Sequence, residues 1–428
     1  MKSVIGLSAV FLTRGAGALG GAVLSLLVAR LAGANGLGQF TVFISLLGIF
    51  SMLAKRGMDT ILIRVIARAV HRDHTDRIIP LLAYSAKVCL MAAVLLSIPG
   101  VILLESDLLG DTSANSSLVF IFCFPIFTVM AIIAGYLKGI GKPWLAPLCE
   151  IGGISLGASL LLIALLVIGH QSSLETIVTI LLLSVIIMFL VSVLIVMKDS
   201  SLQKNSLYAL TVTDEERLEL RKGQASFTIN AFSGYLIQAG SFVIAAFFLT
   251  EDVIGQLRAA ERIAVLVSFP VLAINPFIAS RIVRYIESGC HGSLWKLMGK
   301  ASFAGTGIVF PVLFVIMIAP EFILAFFGQE FIQATDYLRI LALVHFVLVI
   351  LGPFSMLMSM AGGERQLMSV SIVTLSAAIT IYPILTHSYG VEGFIFAYAL
   401  ISVARAAMIA YFGKNKIQEV FRIKKQDT

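Results

Sequence analysis

Charge is what this 428-residue chain lacks: Asp, Glu, Lys and Arg make up 13% of it, against about 25% in soluble domains. Combined with 59% hydrophobic residues, that scarcity excludes a water-facing globular surface and leaves a chain embedded in membrane. Cysteine is scarce too. Cys89, Cys123, Cys149 and Cys290 form no CxxC pair, so no disulfide framework, metal site or cofactor is expected. The sequence has no P-loop, HExxH, dinucleotide fingerprint or Ser-His-Asp spacing, which argues against ATP-driven transport and against an enzyme. The apolar run after Lys2 is interrupted by Arg14 and has no small-x-small cleavage site, so it reads as a retained first helix.

What is present is a series of apolar runs bounded by charges or turn residues. Roughly 20 apolar residues in a helix cross a bilayer core of about 30 Å. Twelve such spans are expected, at roughly 4–31, 37–55, 79–104, 117–137, 146–169, 175–197, 224–249, 255–280, 301–327, 335–360, 367–387 and 393–413. The first two form a hairpin around the turn Gly33-Ala34-Asn35-Gly36. One set of alternate connections collects Arg64, Arg68, Arg72 and Arg77, then Lys138 and Lys142, the 198–222 bases, Arg281 to Lys300, and Arg365. The opposite set, including the acidic loop Glu105 to Ser116, holds no Lys or Arg. By the positive-inside rule both termini are expected in the cytoplasm. The net charge of +7 is thereby a topology signal, and no nucleic-acid partner is implied.

The chain also repeats itself at about half its length. Gly36-Leu37-Gly38-Gln39-Phe40 has a counterpart in Val253-Ile254-Gly255-Gln256-Leu257, and Tyr136 to Lys142 has one in Ser359 to Arg365. The expected fold is therefore all-α: twelve transmembrane helices in two six-helix lobes around a central cleft, related by an axis along the membrane normal. The expected parts are a lobe at 1–197, a cytoplasmic linker at 198–223, a lobe at 224–413, and a basic tail at 414–428. In the linker, Thr213-Asp214-Glu215-Glu216 is a capping box that opens a short helix. The tail suits a helix on the inner leaflet or a solvated segment.

Depth decides which charges carry function. Arg14 lies about 15 Å into the first span at the α-helical rise, where an arginine persists by facing water, a carboxylate or a ligand. Arg30, Arg339 and Arg405 lie near helix ends and can snorkel. Lys55 and Arg56 close the second span, and Asp59 stands where it could neutralise Arg56. In the eighth span, Arg258, Glu261 and Arg262 share one helical face. Pairing Glu261 with one arginine leaves one positive charge over. Glu150 reads either as an ion-coupling site or as a partner of Lys142, and His345 reads as a titratable or a packing residue.

The segments LLVARLAGANGLGQF, Arg56-Gly57-Met58-Asp59-Thr60 leading to Arg64, and the GIGKP after the fourth span resemble the polysaccharide-biosynthesis, O-antigen flippase branch of the multidrug/oligosaccharidyl-lipid/polysaccharide exporter superfamily. The resemblance implies an inner-membrane exporter. It would move an undecaprenyl-diphosphate-linked O-antigen, capsule or exopolysaccharide unit of lipopolysaccharide-type assembly from the cytoplasmic to the periplasmic leaflet. It also suggests a cationic cavity, with Arg14, Lys55 and Arg56 among its substrate-binding residues; the repeat, which sets the eighth span across the cleft from the second, adds Arg258 and Arg262, and Asp59, Glu150 and Glu261 are the candidate coupling or charge-balancing residues. Membrane lipids, and a polymerase and glycosyltransferases of one pathway, are the implied partners. The chain lacks the two extra C-terminal spans of lipid II flippases. A multidrug cation antiporter of the same architecture is the alternative, but it should line its cavity with carboxylates, and here deep arginines outweigh deep acids. A membrane enzyme of polysaccharide assembly is a further alternative, although a polymerase would need a larger outward loop than Glu105 to Ser116.

Overall fold

The computed structural model describes residues 2–72, 74–106, 116–168, 173–198, 212–221 and 224–426. The connections at 107–115 and 169–172 and the first part of the expected linker, 199–211, lie outside the described residues. The described chain is helical and contains no strand. In order it runs α1 (Lys2–Lys55), α2 (Met58–His71), α3 (Ile78–Leu104), α4 (Ser116–Gly139), α5 (Ile151–Val167), α6 (Leu174–Met197), α7 (Asp214–Arg221) and α8 (Gln224–Tyr235). It continues through α9 (Ser241–Ala245), α10 (Glu251–Leu266), α11 (Phe269–Glu287), α12 (His291–Ile318), α13 (Pro320–Ala325), α14 (Thr335–Met360) and α15 (Glu364–Gln426).

Among the described residues, eight helices are long and apolar enough to cross a membrane. Two of them are double spans. α1 reverses at Gly33 (φ 70°) and α15 at Gly390 (φ 59°), left-handed conformations that glycine adopts without steric cost. The short α5 and the broken pair α10–α11 complete the twelve transmembrane helices, arranged in two lobes. The bilayer-facing character is direct: α3 exposes Leu95, Ile98 and Ile102, and α12 exposes Phe303, Phe310 and Phe314, apolar surface that water would penalise and lipid does not.

The residues group into two compact units, Met1–Tyr235 and Leu236–Thr428, divided inside the seventh span at the π-helical turn Leu236–Gly240. In the first unit, α1 packs on α5 through glycine. A Cβ on Gly17 would lie 2.9 Å from the Gly152 backbone, the close approach that small residues permit between membrane helices. The core of this unit joins α2 to α3 and α4 through Ile61, Leu62, Ile66, Leu81, Tyr136 and Leu137. Val212 and Leu220 of the linker are buried in the same core.

Several details differ from expectation. α2 is a full amphipathic helix where a loop was expected: Met58, Ile61, Leu62, Val65 and Ile66 are buried, while Arg64, Arg68 and Arg72 stay exposed. The fifth span starts at Ile151, because Pro143 and Pro147 confine the preceding residues to turns and the short 3-10 segment Ala146–Cys149. The eighth is broken at Val267 and Ser268, just ahead of Pro270, whose missing N–H cannot continue the helical ladder. The tail continues α15 as helix, and Ile417 is fully buried against Ile282, Leu294 and Leu357. Arg405 is half-buried and donates to the Thr374 and Ser371 hydroxyls at 3.4 and 3.5 Å. The second repeat pair also shifts register. Lys142 N–H donates to Leu137 O over Gly141 (φ 78°), and Gly363 N–H donates to Met358 O over Gly362 (φ 73°). These are two glycine helix caps of one type, which match Gly141 with Gly362 and place Gly139 inside its helix.

Candidate functional site

A site within the first unit lies where the second span ends. α1 stops at Lys55, and the next two residues are both left-handed, Arg56 at φ 51° and Gly57 at φ 70°. That reversal starts α2, whose first turn is closed by Thr60 and Ile61 N–H donating to Gly57 O. A left-handed arginine costs on the order of 1 kcal/mol, so the chain holds Arg56 in a costly position. Gly57 permits the turn twice over: a Cβ there would also meet Phe227 Cβ at 2.9 Å and Gln224 O at 3.1 Å.

Across from this turn stands α7. Its capping box forms as expected: Thr213 N–H donates to Glu216 Oε2 at 2.9 Å and Glu216 N–H to Thr213 Oγ1 at 3.4 Å. Leu220 anchors the helix in the core. Arg77 binds Glu216 through two prongs, Nε to Oε1 at 2.9 Å and Nη2 to Oε2. This hydrogen-bonded pair lowers the Glu216 carboxyl pKa below its ordinary range, a shift only partly opposed by burial. Arg217 lies with its guanidinium 5.7 Å from the Tyr84 ring centre.

Between α7 and the α1–α2 turn is a cavity of about 410 Å³, lined by Lys55, Arg56, Tyr84, Arg217, Arg221 and Gln224 over an apolar surface of Met58, Val88, Cys89 and Leu220. Among its described lining residues there are four cations and no carboxylate. Lys55 is buried and pairs with Asp59 at 3.1 Å. Asp59, in the first turn of α2, therefore neutralises Lys55 at the end of α1 across the left-handed reversal, and not Arg56 as expected. Arg217 has a loose pair with exposed Asp214 at 3.3 Å. Arg56 and Arg221 have no side-chain partner among the described residues.

The other expected site residues lie elsewhere. Arg14 is exposed on α1 and does not line this cavity. Glu150 pairs with Lys138 at 2.5 Å, not with Lys142, because the 3-10 turn brings the carboxylate back over the end of α4. In the second unit, Arg258 and Glu261 are both buried and pair at 2.9 Å, with the Arg258 guanidinium 5.2 Å from the centre of the Phe242 ring. Arg262, on the same helix, is half-buried. His345 is buried with Nδ1 2.8 Å from Ser268 Oγ and Nε2 3.4 Å from Tyr398 Oη. Among the described residues no cluster of three or more His, Cys, Asp or Glu is placed to hold a metal. Sequence reading missed Tyr84, Arg217, Arg221 and Gln224. A signal was available, since the capping box fixes the register that puts Arg217 and Arg221 four apart on one helical face.

Long apolar helices, making twelve spans among the described residues, define a multi-pass membrane protein. Residues 4–282 match the polysaccharide biosynthesis protein family, and the chain belongs to it. No curated protein matches the chain. Among solved structures, it is similar to an inward-facing multidrug resistance MATE family transporter of the MOP superfamily, with TM-score 0.74 and 17% identity over 94% of this chain and 95% of that one. A MOP superfamily transporter from Pyrococcus furiosus, described as having a binding pocket of reversed polarity suggesting a different function, matches with TM-score 0.61 and 16% identity over 98% and 96%. An aspartate-to-asparagine variant of a Vibrio cholerae MATE transporter matches with TM-score 0.61 and 14% identity over 98% of each chain. The fold is that of the MOP superfamily.

Proposed function

We propose that the protein is a flippase that moves an undecaprenyl-diphosphate-linked oligosaccharide, an O-antigen, capsule or exopolysaccharide unit, from the cytoplasmic to the periplasmic leaflet of the inner membrane by alternating access. Both termini lie in the cytoplasm in this reading, and the partners are the polymerase and glycosyltransferases of the same pathway. Family membership supports the polysaccharide role. The observation that carries the choice of an anionic substrate is the state of the candidate carboxylates. Asp59 is tied to Lys55, Glu150 to Lys138 and Glu261 to Arg258. None of the three is left to receive an organic cation, while Arg14 and Arg56 have no side-chain partner among the described residues. A guanidinium in a low-dielectric setting favours phosphate oxygens through bidentate hydrogen bonds. The multidrug antiporter would need the opposite balance.

The test is surface polysaccharide in cells carrying Arg14→Ala or Arg14→Lys. Alanine is expected to abolish polymer while the protein stays at normal level in the membrane, and lysine is expected to restore part of it. Normal polymer with Arg14→Ala would contradict the reading.

A further inference from the structure

We propose that the N-terminal end of α12 is a docking site for an acidic phospholipid, with Lys296 and Lys300 as the headgroup ligands and Phe303, Phe310 and Phe314 as the bed for an acyl chain. The lipid is a resident of the bilayer-facing side of the second unit and not the cargo. Arg14, Lys55, Arg56, Arg258 and Arg262 take no part, and the site holds its lipid whatever the chain transports.

The helical period sets these five residues in one line. At 3.6 residues per turn they fall within about 80° around α12, and all five are exposed. The opposite side of the helix is fixed in the core by Leu294, Met298, Ala301, Val309 and Leu313. The Phe310 and Phe314 rings stack with centres 6.5 Å apart. Gly307, in the same line, has nothing within 4 Å of where a Cβ would stand, which leaves a notch between Phe303 and Phe310. From Phe303 to Phe314 the ridge runs about 16 Å at the helical rise, close to one leaflet of a bilayer core about 30 Å thick.

The charged end fits the headgroup. Lys296 and Lys300 stand at i and i+4, where like charges on a free helix face repel, and neither forms an ion pair among the described residues. A phosphodiester between them replaces that repulsion with attraction. Helical side chains lean toward the N-terminus, so both ammonium groups snorkel away from the apolar ridge, to headgroup level. Ile282 of α11, Leu294 of α12 and Ile417 of α15 are buried in one cluster, and this joins the exposed Arg281, Arg284, Lys414 and Arg422 to the same end of the unit. Glu419, the acid on that stretch of α15, is taken by Lys416 at 3.1 Å. An excess of cations at the end of an apolar face selects anionic over zwitterionic lipid.

The experiment reconstitutes the full chain in nanodiscs of equal phosphatidylglycerol and phosphatidylcholine and counts, by native mass spectrometry, the lipid retained on the released protein. Phosphatidylglycerol is expected to be enriched about tenfold or more. K296Q/K300Q is expected to abolish the enrichment and K296R/K300R to keep it. Should K296Q/K300Q fail to fold, K300Q alone is expected to lower the enrichment about fivefold. R68Q/R72Q, which removes two exposed cations from α2 of the first unit, is expected to leave it unchanged, and free glycerol phosphate is expected not to displace the lipid. The proposal is overturned if the parent retains both lipids equally, or if the glutamine variants of Lys296 and Lys300 keep the enrichment. An equal loss in R68Q/R72Q, which would reduce the effect to net charge, or displacement by glycerol phosphate, which would assign the lysines to a soluble anion, overturns it as well.

Discussion

Arg77 donates from Nε to Glu216 Oε1 at 2.9 Å, joining two residues 139 positions apart in sequence. With its second prong, this pair fastens α7 to the helices that carry Lys55, Arg56 and Tyr84, so the cavity depends on a helix that is otherwise attached by Leu220 and by Arg217 over Tyr84. Replacing Arg77 with Ala is expected to release α7 at a cost on the order of 1–2 kcal/mol, between exposed and buried pairs. Faster hydrogen exchange across residues 214–221, with little change in α4, would register it.

The same pair sets a pH dependence. The folded state lowers the Glu216 pKa, chiefly through the Arg77 hydrogen bond. The stabilisation is therefore full above the unfolded value of about 4.3 and is lost as pH falls through the lower folded value. Exchange protection of α7 should be flat from neutral pH down to about 5 and collapse in stronger acid. Glu216→Gln should remove that acid transition.

Asp59 restrains the cavity's charge. Asp59→Asn leaves buried Lys55 without its carboxylate. The variant is expected to lose about 1–3 kcal/mol of stability, read as a lowered midpoint of thermal unfolding.

The Arg258–Glu261 pair is buried on both sides. Removing one partner should cost about 3–5 kcal/mol, because the other is left as an unpaired buried charge, whereas replacing both with Met should be close to neutral. A double-mutant cycle on thermal stability measures this. Transport by the stable double variant then tells whether the pair does more than hold α10 in place.

Gly57→Ala should be severe. It adds the strain of a left-handed residue, about 1–2 kcal/mol, to a collision with Phe227 Cβ and the Gln224 backbone, neither of which can swing away. Reduced thermal stability is expected, without rescue by anionic ligand.

Much of the architecture is legible in the chain because hydrophobic length, charge asymmetry and glycine punctuation act locally. The helix Thr335–Met360 begins and ends where its apolar run does, and the Thr213 to Glu216 capping box forms from four consecutive residues. What was not legible depends on short-range competition or on tertiary placement. α2 is masked in the sequence because its arginines read equally well as a charged connection between spans, although Met58, Ile61, Leu62, Val65 and Ile66 carry a plain helical period. Asp59 is three residues from Arg56 and four from Lys55, and only the left-handed turn at Arg56 decides that Lys55 receives it. Of the cavity, Lys55 and Arg56 could be named from sequence. Arg217, Arg221 and Gln224 join them only because Arg77 and Leu220 bring the linker back onto the first unit.

The central claim, that the substrate is an anionic lipid-linked sugar and not an organic cation, is tested most directly in proteoliposomes holding the full chain. The assay follows the transfer of an undecaprenyl-diphosphate-linked oligosaccharide between leaflets, alongside uptake of a fluorescent organic cation. Protein-dependent transfer of the lipid-linked oligosaccharide, abolished by Arg14→Ala, with no cation uptake above empty vesicles, is the predicted result. Cation uptake without oligosaccharide transfer would contradict it.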